Sequence, residues 1–256
     1  MKNKLTQLFQ QKNKNLLNVY CTAGFPKLES TTDVLFALQE NGVDMIEVGM
    51  PYSDPIADGP VIQQSNMVAI ENGMTIELLF EQLNSVKNTI TVPLIMMGYL
   101  NPVLQYGLEK FCEDAAAAGI AGIILPDLPM YEYEEMYAPL FKKHKLCFIF
   151  LITPQTSEER IKKADKLSSG FLYAVSSSST TGNNINTEDK TSYFERIAGM
   201  NLKNPLMIGF GINNKQSFEA ACSYASGAII GSAYIKALGE NNKVKGSTVN
   251  FLQNIR

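Results

Sequence analysis

Short apolar runs alternate with longer amphipathic segments along the chain. The runs are rich in β-branched and aromatic residues and show little of the polar alternation of a half-exposed strand. Nearly continuous apolar character is typical of parallel strands that are buried on both faces. Eight such runs, and therefore eight predicted strands, begin near Leu16, Met45, Pro93, Gly122, Cys147, Gly170, Pro205 and Gly227.

The segments between the runs have the spacing of amphipathic helices. Residues 30–42, STTDVLFALQENG, offer a Ser or Thr cap, place Val34, Leu35 and Leu38 on one face and end at Gly42. Similar segments, each closed by a glycine, a basic residue or a polar turn, separate the later runs. The pattern therefore predicts strands and helices in alternation.

Eight strand and helix pairs favour a closed barrel, because an open sheet usually has about five or six strands. We predict the α/β class and a single (β/α)₈ TIM barrel domain over residues 1–256, with an open doubly wound sheet as the alternative. The intervals after the second and sixth runs are long, at 48 and 35 residues, and hold PYSDPIADGP and SSSSTTGNNINTED. Both follow the carboxyl ends of strands, where barrel enzymes assemble their active sites.

Composition and charge narrow the classes of function. The chain of 256 residues is 45% hydrophobic and 18% charged, as in globular proteins. Its formal charge of -3, with Lys and Arg scattered, supplies no basic face for nucleic acid. No apolar run reaches the length of a membrane span or a signal peptide. The four cysteines form no CxxC pair and there is one histidine, so we expect no metal site and a cytoplasmic location.

Glu47 interrupts an apolar predicted strand, MIEVGM. Side chains alternate along a strand, so Met45, Glu47 and Gly49 share one face while Ile46 and Val48 take the other. If the second face packs against helices, the carboxylate points into the barrel, where lost solvation favours its protonated form. Such a group suits a general acid or a proton shuttle. The alternative is a carboxylate that is bound by structural hydrogen bonds.

Two further carboxylates, Asp54 and Asp58, lie in the loop that follows. Pro51, Pro55 and Pro60 restrict this loop. A carboxylate there can stay ionised in a wetter setting and act as the base of an acid–base pair. A single loop aspartate is more often a turn former, so the base is predicted only in combination with the buried glutamate.

Three glycine-bearing segments end at the same face of the predicted barrel. They are TTGNN at residues 180–184, GFGINN at 209–214 and IIGSA at 229–233. Loops after strands seven and eight form the usual phosphate site of such barrels, because backbone N–H groups point at the anion. Ser232 adds a hydroxyl, and the absence of Lys or Arg from these segments predicts a phosphate that is held by dipoles. Glycines also terminate helices and tighten turns, which is the alternative interpretation.

Aromatic side chains stand at or near the same strand ends. Tyr20, Tyr99, Tyr173 and Phe210 either line a flat apolar pocket for a ring or belong to the core. The sequence alone leaves these two interpretations equally open.

Together these residues resemble one family, the α subunit of tryptophan synthase. The longest matching motif is VDMIEVGMPYSDPIADGPVIQ at residues 43–63. The resemblance covers nearly the whole chain through further motifs, which are YCTAGFP at 20–26, MGYLNPV at 97–103, LPDLP at 125–129, GFGI at 209–212 and GSA at 231–233.

The resemblance implies a (β/α)₈ barrel that reversibly cleaves indole-3-glycerol phosphate to indole and glyceraldehyde 3-phosphate without a cofactor of its own. It also implies a partner, a pyridoxal-phosphate-dependent β subunit that receives indole through a tunnel in an α₂β₂ complex. The two chains of the family switch each other's activity as loops open and close. A subunit that mainly binds and regulates, with weak chemistry when alone, and a related phosphate-binding barrel with another substrate are the alternatives.

The resemblance also implies roles for single residues. Glu47 and Asp58 correspond to the two catalytic carboxylates, and Thr181 to a lid threonine that meets the aspartate on closure. The remaining matches are phosphate contacts at Gly182, Gly211, Gly231 and Ser232, an indole and glycerol pocket at Tyr20, Met97, Tyr173 and Phe210, and a β-subunit contact region at Asp54, Pro51 and Pro55.

The lid is where the sequence departs from the family pattern. Thr180 stands where a small aliphatic residue is common, and Asn184 where arginine is frequent. These two differences concern closure of the lid and its coupling to the partner, whereas the catalytic pair is unaffected.

Overall fold

The computed structural model of the chain describes residues 3–175, 187–209, 211–240 and 243–256, with the backbone alone at residues 187–190. Within these ranges, parallel strands form one sheet in the order β5-β4-β3-β2-β1-β9-β8-β7-β6. The strands are β1 Leu16–Thr22, β2 Met45–Gly49, β3 Leu94–Met97, β4 Ile120–Ile124, β5 Cys147–Phe148, β6 Leu151–Ile152, β7 Leu172–Val175, β8 Leu206–Gly209 and β9 Gly227–Ile230.

The two edges of this sheet belong to one stretch of chain, because β5 and β6 are the halves of the predicted fifth strand. Between them, the Ile149 N–H donates to the Ile123 carbonyl at 3.0 Å, while the Phe150 carbonyl accepts from the Tyr173 N–H at 3.0 Å. One segment therefore bonds to β4 on one side and to β7 on the other. The barrel is closed, so the prediction of a (β/α)₈ barrel is confirmed over the open sheet.

Helices surround the strands. They are α1 Lys4–Gln11, α2 Ser30–Glu40, α3 Pro60–Glu71, α4 Ile76–Val86, α5 Leu100–Tyr106, α6 Leu108–Ala117, α7 Met130–Glu132, α8 Ala138–Lys143, α9 Glu158–Leu167, α10 Thr187–Ala198, α11 Lys215–Tyr224, α12 Ser232–Glu240 and α13 Val244–Gln253, with a π-helix at Tyr133–Tyr137. Among the described residues, no helix is long and apolar enough to cross a membrane.

The predicted side-chain cap of α2 is wrong. The cap position is Glu29, and its side chain makes no capping hydrogen bond. Ser30 is already the first helical residue, and its hydroxyl accepts instead from the Lys27 N–H of the preceding turn at 3.3 Å.

The long interval after β2 holds two helices. Helix α3 contacts β1 and α12, and at its end the Asn72 amide donates to the carbonyls of Gly24 and Pro26, just beyond β1. Helix α4 contacts α2 and α6. The inserted residues therefore run over the carboxyl-end rim toward β1 before the chain returns to the outer layer.

Apolar side chains fill the space on both sides of the strands. On β2, Ile46 and Val48 belong to the layer between strands and helices, whereas Met45 belongs to the barrel interior with Ile95 of β3. Leu5 of α1 closes the floor of this interior, and it packs so closely on Gly170 that a Cβ there would lie 2.6 Å from its Cδ2. The carboxyl ends of the strands form the opposite end of the barrel.

Candidate active site

A cavity of about 390 Å³ lies at the carboxyl ends of the strands. It takes side chains from strands on several sides of the barrel and from the loops after β2, β8 and β9. Its lining residues are Tyr20, Glu47, Asp58, Gly59, Ile62, Met97, Tyr173, Gly211, Ile212, Asn213, Ile229, Gly231, Ser232, Ala233, Lys236 and Phe251.

Glu47 points into the barrel, as its position in β2 predicts. It pairs in register with Tyr20 of β1 and is 0% exposed. Its Oε1 accepts a hydrogen bond from the Asn18 side-chain amide at 2.6 Å, while its Oε2 has no hydrogen-bond partner in the described part of the chain. A buried carboxylate oxygen without a partner is rare and marks a group that is free to act on a bound molecule.

Burial raises the pKa of Glu47 to about 8, although the hydrogen bond from Asn18 acts in the opposite direction. The cause is desolvation, which disfavours the ionised form. At neutral pH this side chain therefore holds its proton, and the sequence-based expectation of a protonated carboxyl is met.

The loop after β2 brings Asp58 to the same cavity. Tyr99 fixes the loop, because its hydroxyl accepts from the Ala57 N–H at 2.9 Å and donates to Asp58 Oδ2 at 3.0 Å. The Asp58 N–H also closes a turn onto the Pro55 carbonyl at 3.0 Å. Tyr99 thus holds the carboxylate, and the turn to Pro55 holds the backbone that carries it.

Asp58 lies in a drier setting than the sequence suggests. Burial raises the pKa of Asp58 to about 6, and the Tyr99 hydrogen bond partly opposes this shift. The carboxyl is still ionised at neutral pH, when Glu47 is protonated. Two carboxyl groups in one cavity with pKa values on either side of neutrality form an acid and a base.

The other side of the cavity carries the predicted anion site. Gly211 adopts a φ of +77°, a conformation that favours glycine, and Gly231 immediately precedes α12. Ser232 is the first residue of that helix, whose N-terminal N–H groups favour a bound anion. Lys236 follows one turn later and also lines the cavity, so a cation lies near the site where the sequence predicts a phosphate that is held by dipoles.

Two tyrosines line the cavity by packing over glycines at strand ends. A Cβ on Gly49 would lie 2.1 Å from the Tyr20 hydroxyl, and a Cβ on Gly209 would lie 2.5 Å from the Tyr173 ring. Met97 of β3 also lines the cavity. The pocket interpretation therefore holds for both tyrosines, whereas Tyr99 is buried and contacts the cavity only through the aspartate that it binds.

The other predicted positions have mixed outcomes. In the loop after β2, Asp54 is exposed, Pro51 is half-buried and Pro55 is buried. Five positions lie outside the described residues, namely Phe210 of the pocket, Thr180, Thr181 and Asn184 of the lid, and Gly182 of the phosphate site.

The cysteines do not form a second centre of chemistry. All four are buried and free. In the described ranges, no three His, Cys, Asp or Glu side chains are grouped so that they could hold a metal ion.

Two residues of the site were not predicted from the sequence, although the sequence carries a signal for each. Asn18 is a polar residue in the apolar run LLNVYCT, two positions before Tyr20 and therefore on the same inward face. Lys236 is four residues after Ser232, a spacing that places both on one face of a helix.

These features define a (β/α)₈ barrel with two buried carboxyl groups in a cavity at the carboxyl ends of its strands. A family model described as tryptophan synthase alpha chain matches residues 6–255. The chain belongs to the tryptophan synthase alpha chain family.

Sequence comparison with named relatives gives the same family. The chain is 54% identical over 240 residues to the tryptophan synthase alpha chain of Flavobacterium psychrophilum, covering 93% of this chain and 94% of that one. It is 49% identical over 255 residues to the protein of the same name from Flavobacterium johnsoniae, covering 99% and 100%.

Solved structures share the fold. Tryptophan synthase subunit alpha from Legionella pneumophila has a TM-score of 0.90 at 31% identity, with 100% of this chain and 97% of that chain covered. A chain of the tryptophan synthase complex from Pyrococcus furiosus has a TM-score of 0.86 at 29% identity, with 95% and 98% covered.

Proposed function

We propose that the chain reversibly cleaves indole-3-glycerol phosphate to indole and glyceraldehyde 3-phosphate, as the α subunit of a tryptophan synthase. The observation that carries the proposal is the meeting of Glu47 and Asp58 in one cavity opposite an anion site. An indole ring with a phosphorylated glycerol arm needs this combination, namely proton transfer at the ring and a phosphate site at the far end of the arm.

The chemistry explains why two carboxyl groups are needed. The bond from indole C3 to the glycerol arm breaks only when the ring can accept its electron pair, and protonation of C3 creates that electron sink. The hydroxyl on the adjacent glycerol carbon then loses its proton as the aldehyde forms. The electron pair of the broken bond returns to the ring, which leaves neutral indole.

The two pKa values assign the roles. Glu47, with a pKa of about 8, carries the proton to C3 and afterwards takes the hydroxyl proton, so its protonation state is restored. Asp58, with a pKa of about 6, is ionised and accepts the ring N1–H, which stabilises positive charge on the protonated ring.

The phosphate is bound at the rim formed by β8, β9 and α12. Backbone N–H groups at Gly211 and Gly231, the Ser232 hydroxyl and the N-terminus of α12 are the donors, and Lys236 supplies a positive charge. Gly182 and the lid residue Thr181 remain predictions from the resemblance. The indole ring lies among Tyr20, Met97, Tyr173 and Phe210 in this proposal.

The partner is a tryptophan synthase β subunit in an α₂β₂ complex, and pyridoxal phosphate belongs to that subunit. The solved complex from Pyrococcus furiosus supports this assignment. Asp54, Pro51 and Pro55 remain predicted contacts. A cytoplasmic location, the absence of a cofactor in this chain and a single domain over residues 1–256 also remain predictions from the sequence.

Turnover of indole-3-glycerol phosphate by two variants tests the catalytic pair. We expect Glu47→Gln and Asp58→Asn each to lower kcat by about 10² to 10⁴-fold, the usual contribution of a general acid or base. Glu109→Gln and Asp33→Asn, on exposed helix surfaces, are matched controls and should keep the parent rate. A rate near that of the parent in either cavity variant would contradict its role.

A second measurement separates catalysis from a mainly regulatory role. If the chain chiefly binds and regulates, the isolated protein has weak activity and adding a β subunit raises it strongly. A titration that detects neither a complex nor activation would reject that alternative.

A further inference from the structure

The interior of the barrel contains a second buried polar residue, Asn18 of β1. It is 0% exposed and lies on the inward face of its strand, between Leu16 and Tyr20. In the register of β1 and β2 it stands opposite Met45, one inward position below the pair formed by Tyr20 and Glu47. Burying an amide costs free energy unless it makes hydrogen bonds, so its position in this apolar layer needs an explanation.

One hydrogen bond of the Asn18 amide explains its buried position. Asn18 Nδ2 donates to Glu47 Oε1 at 2.6 Å. Among the described residues, Asn18 Oδ1 and Glu47 Oε2 are both buried without a partner. The bond to Oε1 is thus the only hydrogen bond in that part of the chain that fixes the direction of the glutamate side chain, and it engages one of its two oxygens.

We propose that Asn18 is a positioning residue that keeps Glu47 Oε1 occupied, so that Oε2 alone carries the proton that is exchanged with the substrate. The proposal rests on the proposed function of Glu47. In a protonated carboxyl group the carbonyl oxygen accepts hydrogen bonds better than the hydroxyl oxygen does, so an N–H donor on Oε1 favours placement of the proton on Oε2. Oε2 gives its proton to the ring and takes one from the glycerol hydroxyl, while the amide exchanges no proton.

The surroundings of Glu47 support a second effect. Tyr20 of β1, Tyr173 of β7 and Asp58 of the loop after β2 face the same cavity, and β3 presents Met97. Cys21 of β1 also interacts electrostatically with the glutamate. Lys236 of α12 supplies a positive charge at the other side of the cavity. The Asn18 amide N–H bonds the carboxyl directly, and it is the contact that favours the ionised form.

Removing the amide therefore has a predictable sign. Without the N–H donor, the ionised form of Glu47 loses stabilisation and its pKa rises further. The high-pH limb of the kcat profile, where the acid loses its proton, therefore moves to higher pH. The maximal rate falls, because the proton is held more tightly and is distributed over both oxygens.

The experiment compares kcat and KM across pH for the parent protein, Asn18→Leu, Asn18→Ala and Asn18→Thr. For the first two variants we expect kcat to fall by about ten- to a hundredfold and the high-pH limb to rise by about one to two units, as for a lost hydrogen bond to a charged group. KM should change little. Asn18→Thr, whose hydroxyl can donate a hydrogen bond, should restore part of the parent kcat and bring the high-pH limb part of the way back.

Gln82→Leu is the matched control. Among the described residues, Gln82 of α4 also has a buried side-chain oxygen without a partner, and its amide donates to the Leu28 carbonyl just before α2, away from the cavity. It should leave the pH profile unchanged. Urea unfolding of every variant separates loss of structure from loss of positioning, and either folded variant of the Leu and Ala pair is sufficient for the comparison.

The outcomes separate this proposal from the proposed function. A parent protein without cleavage activity overturns the function itself. The role of Asn18 alone is overturned if the parent is active and Glu47→Gln is inactive, while folded Asn18→Leu or Asn18→Ala keeps the kcat and the high-pH limb of the parent. A loss confined to KM also overturns it.

Discussion

At the scale of one residue, burial of the proposed catalytic acid Glu47 affects the stability of the fold. Its side chain is 0% exposed and receives a hydrogen bond from Asn18. Such a group is tolerated because it is uncharged at neutral pH: burial raises its pKa to about 8 from an ordinary value of 4.5. The same desolvation that prepares the acid therefore makes folding sensitive to alkaline pH.

The sign of this sensitivity follows from the raised pKa. Between the unfolded value of 4.5 and the folded value of about 8, the folded state binds more protons than the unfolded state. The stability from this group is fully present below the lower value and is lost as pH rises through the higher one. Asp58 contributes a similar loss only between 3.8 and about 6.

We expect the free energy of unfolding of the parent protein to fall between pH about 5 and about 8 more steeply than that of Glu47→Gln. Each unit of pKa shift corresponds to about 1.4 kcal/mol, so the difference is on the order of a few kcal/mol. Urea unfolding at several pH values measures it. Parallel slopes for the two proteins would show that the glutamate does not titrate with a raised pKa.

The sequence predicts the direction of Glu47 because the alternation of side chains along a strand requires only the strand itself. The contact with Asn18 is different, since it depends on the register between β1 and β2. Register is set by the packing of the whole barrel, and a one-residue slip would turn the amide to the other face. The polar signal was present, but its partner could not be identified from the pattern.

At the scale of an element, helix α12 carries the proposed phosphate end of the site. Ser232 begins the helix and Lys236 lies one turn along it, on the side that lines the cavity. The glycine-bearing segment at the end of β9, residues 229–233, ends before this lysine. The helix period brings it back to the site, so the cation becomes visible only once the start of the helix is known.

A substitution in this helix tests the cation. We expect Lys236→Met to raise KM for indole-3-glycerol phosphate by about fivefold and to change kcat little, because a partly exposed ion pair contributes about 1 kcal/mol or less. Lys245→Met in α13 is the control, since that lysine pairs with Glu40 outside the cavity. Equal KM values for the two variants would show that the phosphate is held without the lysine.

At the scale of the whole molecule, eight strand and helix pairs were sufficient to predict a closed barrel. The sequence could not give the path of α3 over the rim, because that path depends on the bonds from Asn72 to the loop after β1. Nor could it give the break of the fifth strand into β5 and β6, which reflects how the sheet closes. Both features depend on contacts between residues that are distant in sequence.

Several exposed apolar side chains follow the carboxyl ends of neighbouring strands. Ile56 follows β2, Leu104 follows β3, and Tyr131 and Met136 follow β4. These three strands are neighbours in the sheet. Ile56 is 71% exposed and Met136 is 67% exposed. Large apolar side chains that are grouped on a surface indicate a contact with another protein, which agrees with the proposed β subunit.

The docking of the β subunit can be tested at Ile56 and at a matched isoleucine. We expect Ile56→Asp to raise the Kd of the α and β subunits by about tenfold or more, because a charge replaces an apolar contact near the interface. Ile70→Asp is the control, since Ile70 is also exposed but lies at the end of α3 that approaches β1. Calorimetric titration measures both constants, with turnover of the isolated variants as a check that the active site is intact. If the two variants bind equally well, the β subunit docks elsewhere, and the grouping of exposed apolar side chains beyond β2, β3 and β4 has another cause.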